Sequence, residues 1–243
     1  MKIRTRIGLL IPSTNTTCEP DFYRVTPPDV TVHTHRLWLT NDDGGARGMD
    51  HMNAEVEQGA RYLKTASVDT VAYGCTTGSF YKGSGYDDEL LEIIRNASGV
   101  PAVATAPAVT QALRSLGAER ISVATPYPEW INGQLGGYYQ SLGFEVLNVE
   151  GEPEAAKAGH QGINDQVPES ILDFAPLVCR PDADVLFCSC TAWRSFEIVE
   201  ELERRVGRPV VTSNQATIWA TLRQLGRVPK DRAFGTLFSQ AAD

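Results

Sequence analysis

Four short blocks of this sequence recur, in the same order, in its second half, and no other feature constrains the fold as much. Leu10-Ile11-Pro12-Ser13 is answered by Ala124-Thr125-Pro126-Tyr127, and Gly74-Cys75-Thr76 by Ser189-Cys190-Thr191. Gly99-Val100-Pro101-Ala102-Val103 is answered by Gly207-Arg208-Pro209-Val210-Val211, and Ala112 to Gly117 by Thr221 to Gly226. The separations are 114, 115, 108 and 109 residues, so the register shifts once, where the first copy carries an insertion around Lys82-Gly83-Ser84-Gly85. A chain of 243 residues therefore divides into two units of ordinary domain size. The expected boundaries are 1–117 for the first half, 118–226 for the second and 227–243 for a C-terminal tail packed on the fold.

Within each copy, short apolar runs alternate with stretches of helical period, the pattern of strands joined by helices in a mostly parallel sheet. The expected strands are Ile7 to Ile11, Val30 to Leu37, Thr70 to Tyr73, Ala102 to Ala104, Ile121 to Ala124, Glu145 to Val149, Val185 to Cys188 and Val210 to Thr212. Apolar residues three or four apart place helices over Ala54 to Lys64, Asp88 to Asn96, Ala108 to Leu116, Glu129 to Leu142, Phe196 to Val206 and Ala216 to Leu225. The fold class that follows is α/β, two pseudo-symmetric halves, each a mostly parallel sheet flanked by helices.

Charge narrows the function classes. With 22 basic and 30 acidic side chains the formal charge is -8, the wrong sign for a nucleic-acid or anionic-membrane binder. No stretch approaches the ~20 apolar residues of a membrane span, and a cytoplasmic protein is expected. Five cysteines are an odd number in a chain able to bury its own core, which favours free thiols over a disulfide framework. The four histidines, at 33, 35, 51 and 160, have no metal-ligand spacing, and the chain has neither a P-loop nor a dinucleotide-binding glycine fingerprint. No metal and no cofactor is expected.

The residues with chemistry to offer sit at strand ends. Ligands of doubly wound sheets bind beyond the carboxyl ends of the strands, where Cys75 and Cys190 both fall, at equivalent positions of the repeat. If the halves are related by an approximate two-fold, the thiols face one cleft, as acid and base on opposite sides of one carbon. Thr76, Thr77, Gly78 and Ser79 form a polar turn after Cys75 whose N–H groups suit a carboxylate and favour a thiolate. Asn15, in Pro12 to Thr17, and Tyr127 add further donors. Cys18, Cys179 and Cys188 read as packing residues. Arg194, four residues past Cys190, is read either as a second carboxylate contact or as a surface residue.

The run Gly74 to Gly83, Thr125-Pro126-Tyr127, Cys188 to Thr191 and the Glu203 to Val211 segment resemble the arylmalonate decarboxylase and maleate cis-trans isomerase group of the aspartate/glutamate racemase superfamily. The resemblance runs nearly end to end and implies a cofactor-independent enzyme with a racemase-like fold. It places Cys190 on the cysteine shared by decarboxylase and isomerase, and Cys75 on the first cysteine of the isomerase and racemase pair, a position that is Gly in the decarboxylase. It assigns Thr76, Thr77 and Tyr127 to a substrate carboxylate and Asn15 to substrate binding; Thr191 and His160 are further candidate contacts, in stretches where the chain differs from the isomerase pattern. At Gly159 to Asn164 the chain departs from the isomerase pattern, which has an Asp-Asn pair before Ile-Gly.

The expectation is thus a two-cysteine isomerase of a small carboxylic or dicarboxylic acid, with maleate isomerisation first, then racemisation of an amino acid or related α-substituted acid, then arylmalonate-type decarboxylation. A small-acid binding protein is the non-enzyme alternative. A homo-oligomer is compatible with all of these.

Overall fold

A computed structural model describes residues 4–40 and 45–240. The first half contains β1 (Thr5–Pro12), α1 (Cys18–Val25), β2 (Val30–Leu37), α2 (Gly45–Ala54), α3 (Val56–Thr65), β3 (Thr70–Tyr73), α4 (Thr76–Phe80), α5 (Tyr86–Ser98), β4 (Ala102–Ala104) and α6 (Thr105–Ser115). The second contains β5 (Arg120–Thr125), α7 (Glu129–Ser141), β6 (Glu145–Gly151), α8 (Pro153–Asp165), α9 (Pro168–Val178), β7 (Val185–Cys188), α10 (Val199–Val206), β8 (Val210–Thr212) and α11 (Ser213–Gln224), and α12 (Thr236–Ser239) follows. The strand order is β2-β1-β3-β4 in one sheet and β6-β5-β7-β8 in the other, every pairing parallel. Each strand has its counterpart at the same place in the second sheet, as the repeat requires.

All eight expected strands are present, with β1, β5 and β6 extending one or two residues further. The central strands β3 and β7 are buried at every position, because a parallel sheet covered on both faces needs apolar side chains on both. Gly99 and Gly207 occupy equivalent sites of the repeat, and each ends a helix with a positive φ, 76° and 67°. The expected helix from Phe196 begins instead as a 3-10 turn over Arg194–Ile198, with the α-helix starting at Val199. Helices α1, α2, α8 and α9 lie where the period gave no clear signal. Pro168 opens α9 and Pro176 lies inside it, while Gly159 interrupts α8 with non-helical angles. Such residues read locally as breakers, and Gly159 does kink α8, whereas α9 holds because its apolar face packs on β5 and β6.

One hydrophobic cluster joins the halves. It runs from Ile7, Leu9 and Phe22 through Val109 and Leu113 to Ile121, Phe187 and Trp219, whereas Leu10, Val71 and Tyr73 face a separate cluster under α3 and α5. Helices α6 and α11, which follow the outer strands β4 and β8, pack on each other at the seam. There the Thr217 hydroxyl donates to Thr105 Oγ1 at 3.1 Å, and Gln224 reaches Thr70 at 3.3 Å. The shared core fixes the strand ends of the two sheets against each other. The last segment lies on the second half: Leu237 and Phe238 are buried, and Glu203 accepts from the Thr236 N–H and hydroxyl.

Candidate active site

Cys75 is the residue before α4, and its sulfur accepts the Gly78 N–H at 3.3 Å. Cys190 follows β7 in a turn, and its sulfur accepts the Ala192 N–H, also at 3.3 Å. The two thiols, 7% and 8% exposed, line one cavity of about 470 Å³. Asn15, Thr76, Thr77, Tyr127, His160 and Thr191 line it too, so the structure brings all eight sequence-derived site residues to one place. Neither Cys18 nor Cys179 does so. Cys18 is nevertheless buried, and burial, followed by the Asp21 carboxyl, pushes its thiol well above the ordinary value.

A net of hydrogen bonds across the seam holds the two turns in register. Ser213, the first residue of α11, accepts the Cys190 N–H at 3.0 Å and the Thr76 hydroxyl at 2.9 Å. The Thr191 hydroxyl donates to the carbonyl of Gly74 and accepts from Asn15 Nδ2, both at 3.1 Å. Asn15 Oδ1 accepts the N–H groups of Thr17 and Cys18 at the start of α1, and the Thr17 hydroxyl reaches the Ala192 carbonyl at 3.0 Å. Much of the Asn15 amide is thus committed to structure. One N–H of its Nδ2 remains for a ligand.

Burial governs the protonation of both sulfurs. It pushes the Cys75 thiol up to about 12, although the Gly78 N–H favours the thiolate; the Cys190 sulfur adds to the rise and the Tyr73 hydroxyl opposes it. The Cys190 thiol is also raised by burial, against the Tyr127 hydroxyl and the N–H groups of Ala192 and Trp193. The expectation of a resting thiolate is therefore corrected: the N–H contact is present, but desolvation outweighs it and both thiols are neutral in the empty site. The Tyr127 hydroxyl lies between Cys190 and Thr77, with its own ionisation suppressed chiefly by burial. Burial lowers His160, which favours its neutral form.

Of the two roles read for Arg194, the structure shows the surface one. Arg194 pairs with Glu197 at 2.6 Å in the 3-10 turn and lies outside the cavity wall. Lys157 lines the rim but is exposed and paired with Glu154. The donors facing a ligand are therefore mostly neutral hydroxyls, an amide and backbone N–H groups, opposed by an apolar wall of Leu39, Met49, Trp130, Ile131 and Ile163. Sequence reasoning missed that wall, because nothing local distinguishes it from core. It also missed Ser213 and Asn214, for which a signal existed: they follow β8, the repeat counterpart of β4, at a carboxyl strand end. Asn164 was seen only as part of a departure from pattern. It accepts from the N–H and hydroxyl of Thr16 and donates to the carbonyls of Thr14 and His160, tying α8 to the loop after β1. Among the described residues no group of three or more His, Cys, Asp or Glu is placed to hold a metal ion, and no helix is long and apolar enough to cross a membrane.

Two parallel-sheet lobes, each giving one strand-end cysteine to a shared cavity, place the chain in the aspartate/glutamate racemase-like fold class. Within that class the chain belongs to the arylmalonate decarboxylase family, which it matches over residues 7–238. Arylmalonate decarboxylase of Bordetella bronchiseptica is 29% identical over 97% of this chain and 97% of its own length. Maleate isomerase of Pseudomonas putida is 27% identical over 97% and 98%. Among solved structures, a Cys-to-Ser variant of Nocardia farcinica maleate cis-trans isomerase with a covalently bound succinylcysteine intermediate superposes with a TM-score of 0.90 at 22% identity, covering 98% and 99% of the two chains.

Proposed function

We propose that this chain is a cofactor-independent cis-trans isomerase of a small unsaturated dicarboxylic acid, with maleate as its substrate. The observation that carries the reading is the pair of thiols: equivalent in the repeat, each facing a backbone N–H, in one cavity with a row of neutral carboxylate donors. The relatives named maleate isomerase, and the succinylcysteine held by the Nocardia farcinica enzyme, support it.

In this mechanism the substrate alkene lies between the sulfurs. The Cys75 proton passes to the carboxylate of one alkene carbon as the Cys75 sulfur bonds the other, and the π electrons move to the first carbon and its carboxyl group as a protonated enediolate. Cys190 supplies a proton to that carbon, leaving a succinyl thioether. The former double bond is now single and rotates. Cys190 then takes a proton back, the carbon–sulfur bond breaks, the carboxyl group returns its proton to the Cys75 sulfur and the trans acid leaves. Ionising Cys75 at pH 7 from about 12 costs about 7 kcal/mol, so the charge must pass to the substrate as the bond forms. The backbone N–H groups of Thr76 and Thr77 and the Tyr127 hydroxyl hold the carboxylate on which that charge collects, and the Asn15 amide with the Thr191 N–H the other, since the Thr76 and Thr191 hydroxyl protons go to Ser213 and Gly74.

The apolar wall favours a second reading, an α-substituted acid racemised by the same two cysteines, one removing the α-proton and the other returning it. Proton NMR in deuterated water separates the readings. Appearance of the fumarate singlet from maleate supports the first; deuterium exchange at the α-carbon of an amino or arylpropionic acid, with maleate unchanged, replaces it with the second. Loss of carbon dioxide from an arylmalonate would instead make the chain a decarboxylase, and absence of any turnover a small-acid binding protein.

A further inference from the structure

The two thiol turns are equivalent in the repeat but are held differently. After Cys75 the chain enters α4 at once, and the carbonyl of Thr76 is met locally by the Ser79 hydroxyl at 2.8 Å. After Cys190 no α-helix begins until Val199. The corresponding carbonyl, that of Thr191, is met from another element: Asn214 Nδ2 donates to it at 2.9 Å. The same nitrogen donates to Asp21 Oδ2 at 2.7 Å, so a side chain of α1 aims the amide of α11 at the Cys190 turn. The buried Asn214 Oδ1 has no hydrogen-bond partner. An amide held with its oxygen unpaired is held there by what its nitrogen meets, here a carboxyl group and a carbonyl. The first half has nothing equivalent, since Ala106 stands where the repeat places Asn214.

The geometry points to Asp21 as a positioning residue for Cys190: through Asn214 it fixes the Thr191 carbonyl, and with it the turn whose N–H groups face the Cys190 sulfur. This rests on the two-cysteine reading only for its consequence in catalysis. The strap itself is a property of the fold. An ionised Asp21 makes a charge-assisted bond to Asn214 and holds the amide more tightly than a neutral one. Asp21 is 3% exposed, and burial raises it to about 7, against the bond from Asn214 and the charge of Arg24; Glu197 adds to the rise and Arg194 opposes it. Those two lie in the turn beyond Cys190, and the Cys18 thiol precedes Asp21 on α1. The strap therefore tightens through the neutral pH range, on the Cys190 side alone.

The test compares the two thiols in one molecule and does not depend on knowing the substrate. Iodoacetamide modification of Cys190 and Cys75 is followed by peptide mass spectrometry from pH 5.5 to 8.5. Well below their own pKa values both thiols gain about tenfold per pH unit, so their ratio is flat unless a group beside one of them titrates. The expected result is a Cys190 to Cys75 ratio that rises about tenfold with a midpoint near neutrality. It becomes flat in Asp21→Asn, and stays low at every pH in Asn214→Ala, whose far-UV circular dichroism reports the fold. In turnover, Asp21→Asn lowers kcat with KM held within about twofold and removes the matching limb of the pH profile. A flat ratio in the parent overturns the proposal. So does a ratio that falls with pH, the sign of plain charge repulsion, or an unaltered titration in folded Asn214→Ala. Failure of the maleate reading leaves the alkylation ratio intact, so the two failures are distinguishable.

Discussion

Ser213→Ala tests whether the two thiol turns are fixed by one residue across the seam. The Ser213 side chain is fully buried and meets the Cys190 N–H at 3.0 Å and the Thr76 hydroxyl at 2.9 Å. Removing the oxygen leaves two buried polar groups without this partner. At about 1–3 kcal/mol for each such group, the loss is about 2–6 kcal/mol. For a chain of this size, that lowers the melting temperature by about 4–24 °C. The assay is urea unfolding followed by far-UV circular dichroism, with Thr76→Val and the double variant completing a cycle. Because Thr76 loses its partner in either single variant, the double variant should cost about 1 kcal/mol less than the sum. A Ser213→Ala protein within about 0.5 kcal/mol of the parent, or strict additivity with Thr76→Val, would refute the bridge.

Further outcomes follow from the same geometry. Cys75→Ser should abolish isomerisation and any covalent adduct seen by intact-mass spectrometry, since a hydroxyl is a far weaker nucleophile than a thiolate, whereas Cys190→Ser should form an adduct without turnover; adducts with neither or both variants at full activity would reject the assignment. A Cβ at Gly78 would strike the Tyr73 hydroxyl and lie 2.9 Å from Met52 Cε and 3.1 Å from Cys75 Sγ. Gly78→Ala should therefore cost about 1–3 kcal/mol and at least tenfold in kcat, and unchanged kinetics would contradict the contact. In the empty protein at pH 7 about one Cys75 in 100,000 is ionised, so its iodoacetamide rate should still climb past pH 9, where a free thiol levels off; a plateau below pH 8 would show that burial does not set its pKa. Asp21, raised to about 7 in the fold, binds a proton that the unfolded chain has already released. Stability should thus fall by up to about 4 kcal/mol between pH 4 and 7, and Asp21→Asn should flatten that decline. An Asp21→Asn curve parallel to the parent would assign the decline elsewhere.

The sequence by itself determined the architecture, and the reason lies in the repeat. Duplicated strand-end motifs, such as Pro12 with Pro126 and Cys75 with Cys190, force equivalent strands into equivalent sheets, and strand ends in a parallel sheet point one way. That rule pointed to Cys75, Cys190 and the polar turns beside them, while His160, inside α8, came into view only with the family resemblance. It did not reveal α8, which Gly159 kinks, or α9, whose Pro176 opposes local propensity and is overridden by packing on β5 and β6. Only the tertiary structure decided the ionisation of the thiols. The turn after Cys75 reads as thiolate-stabilising, but desolvation depends on everything packed around the sulfur, from Met52 to the seam between the lobes. It also decided how the turns are held. The links from Asn15, Ser213 and Asp21 with Asn214 join residues far apart in sequence, and their partners become defined only when the shared core docks one half on the other.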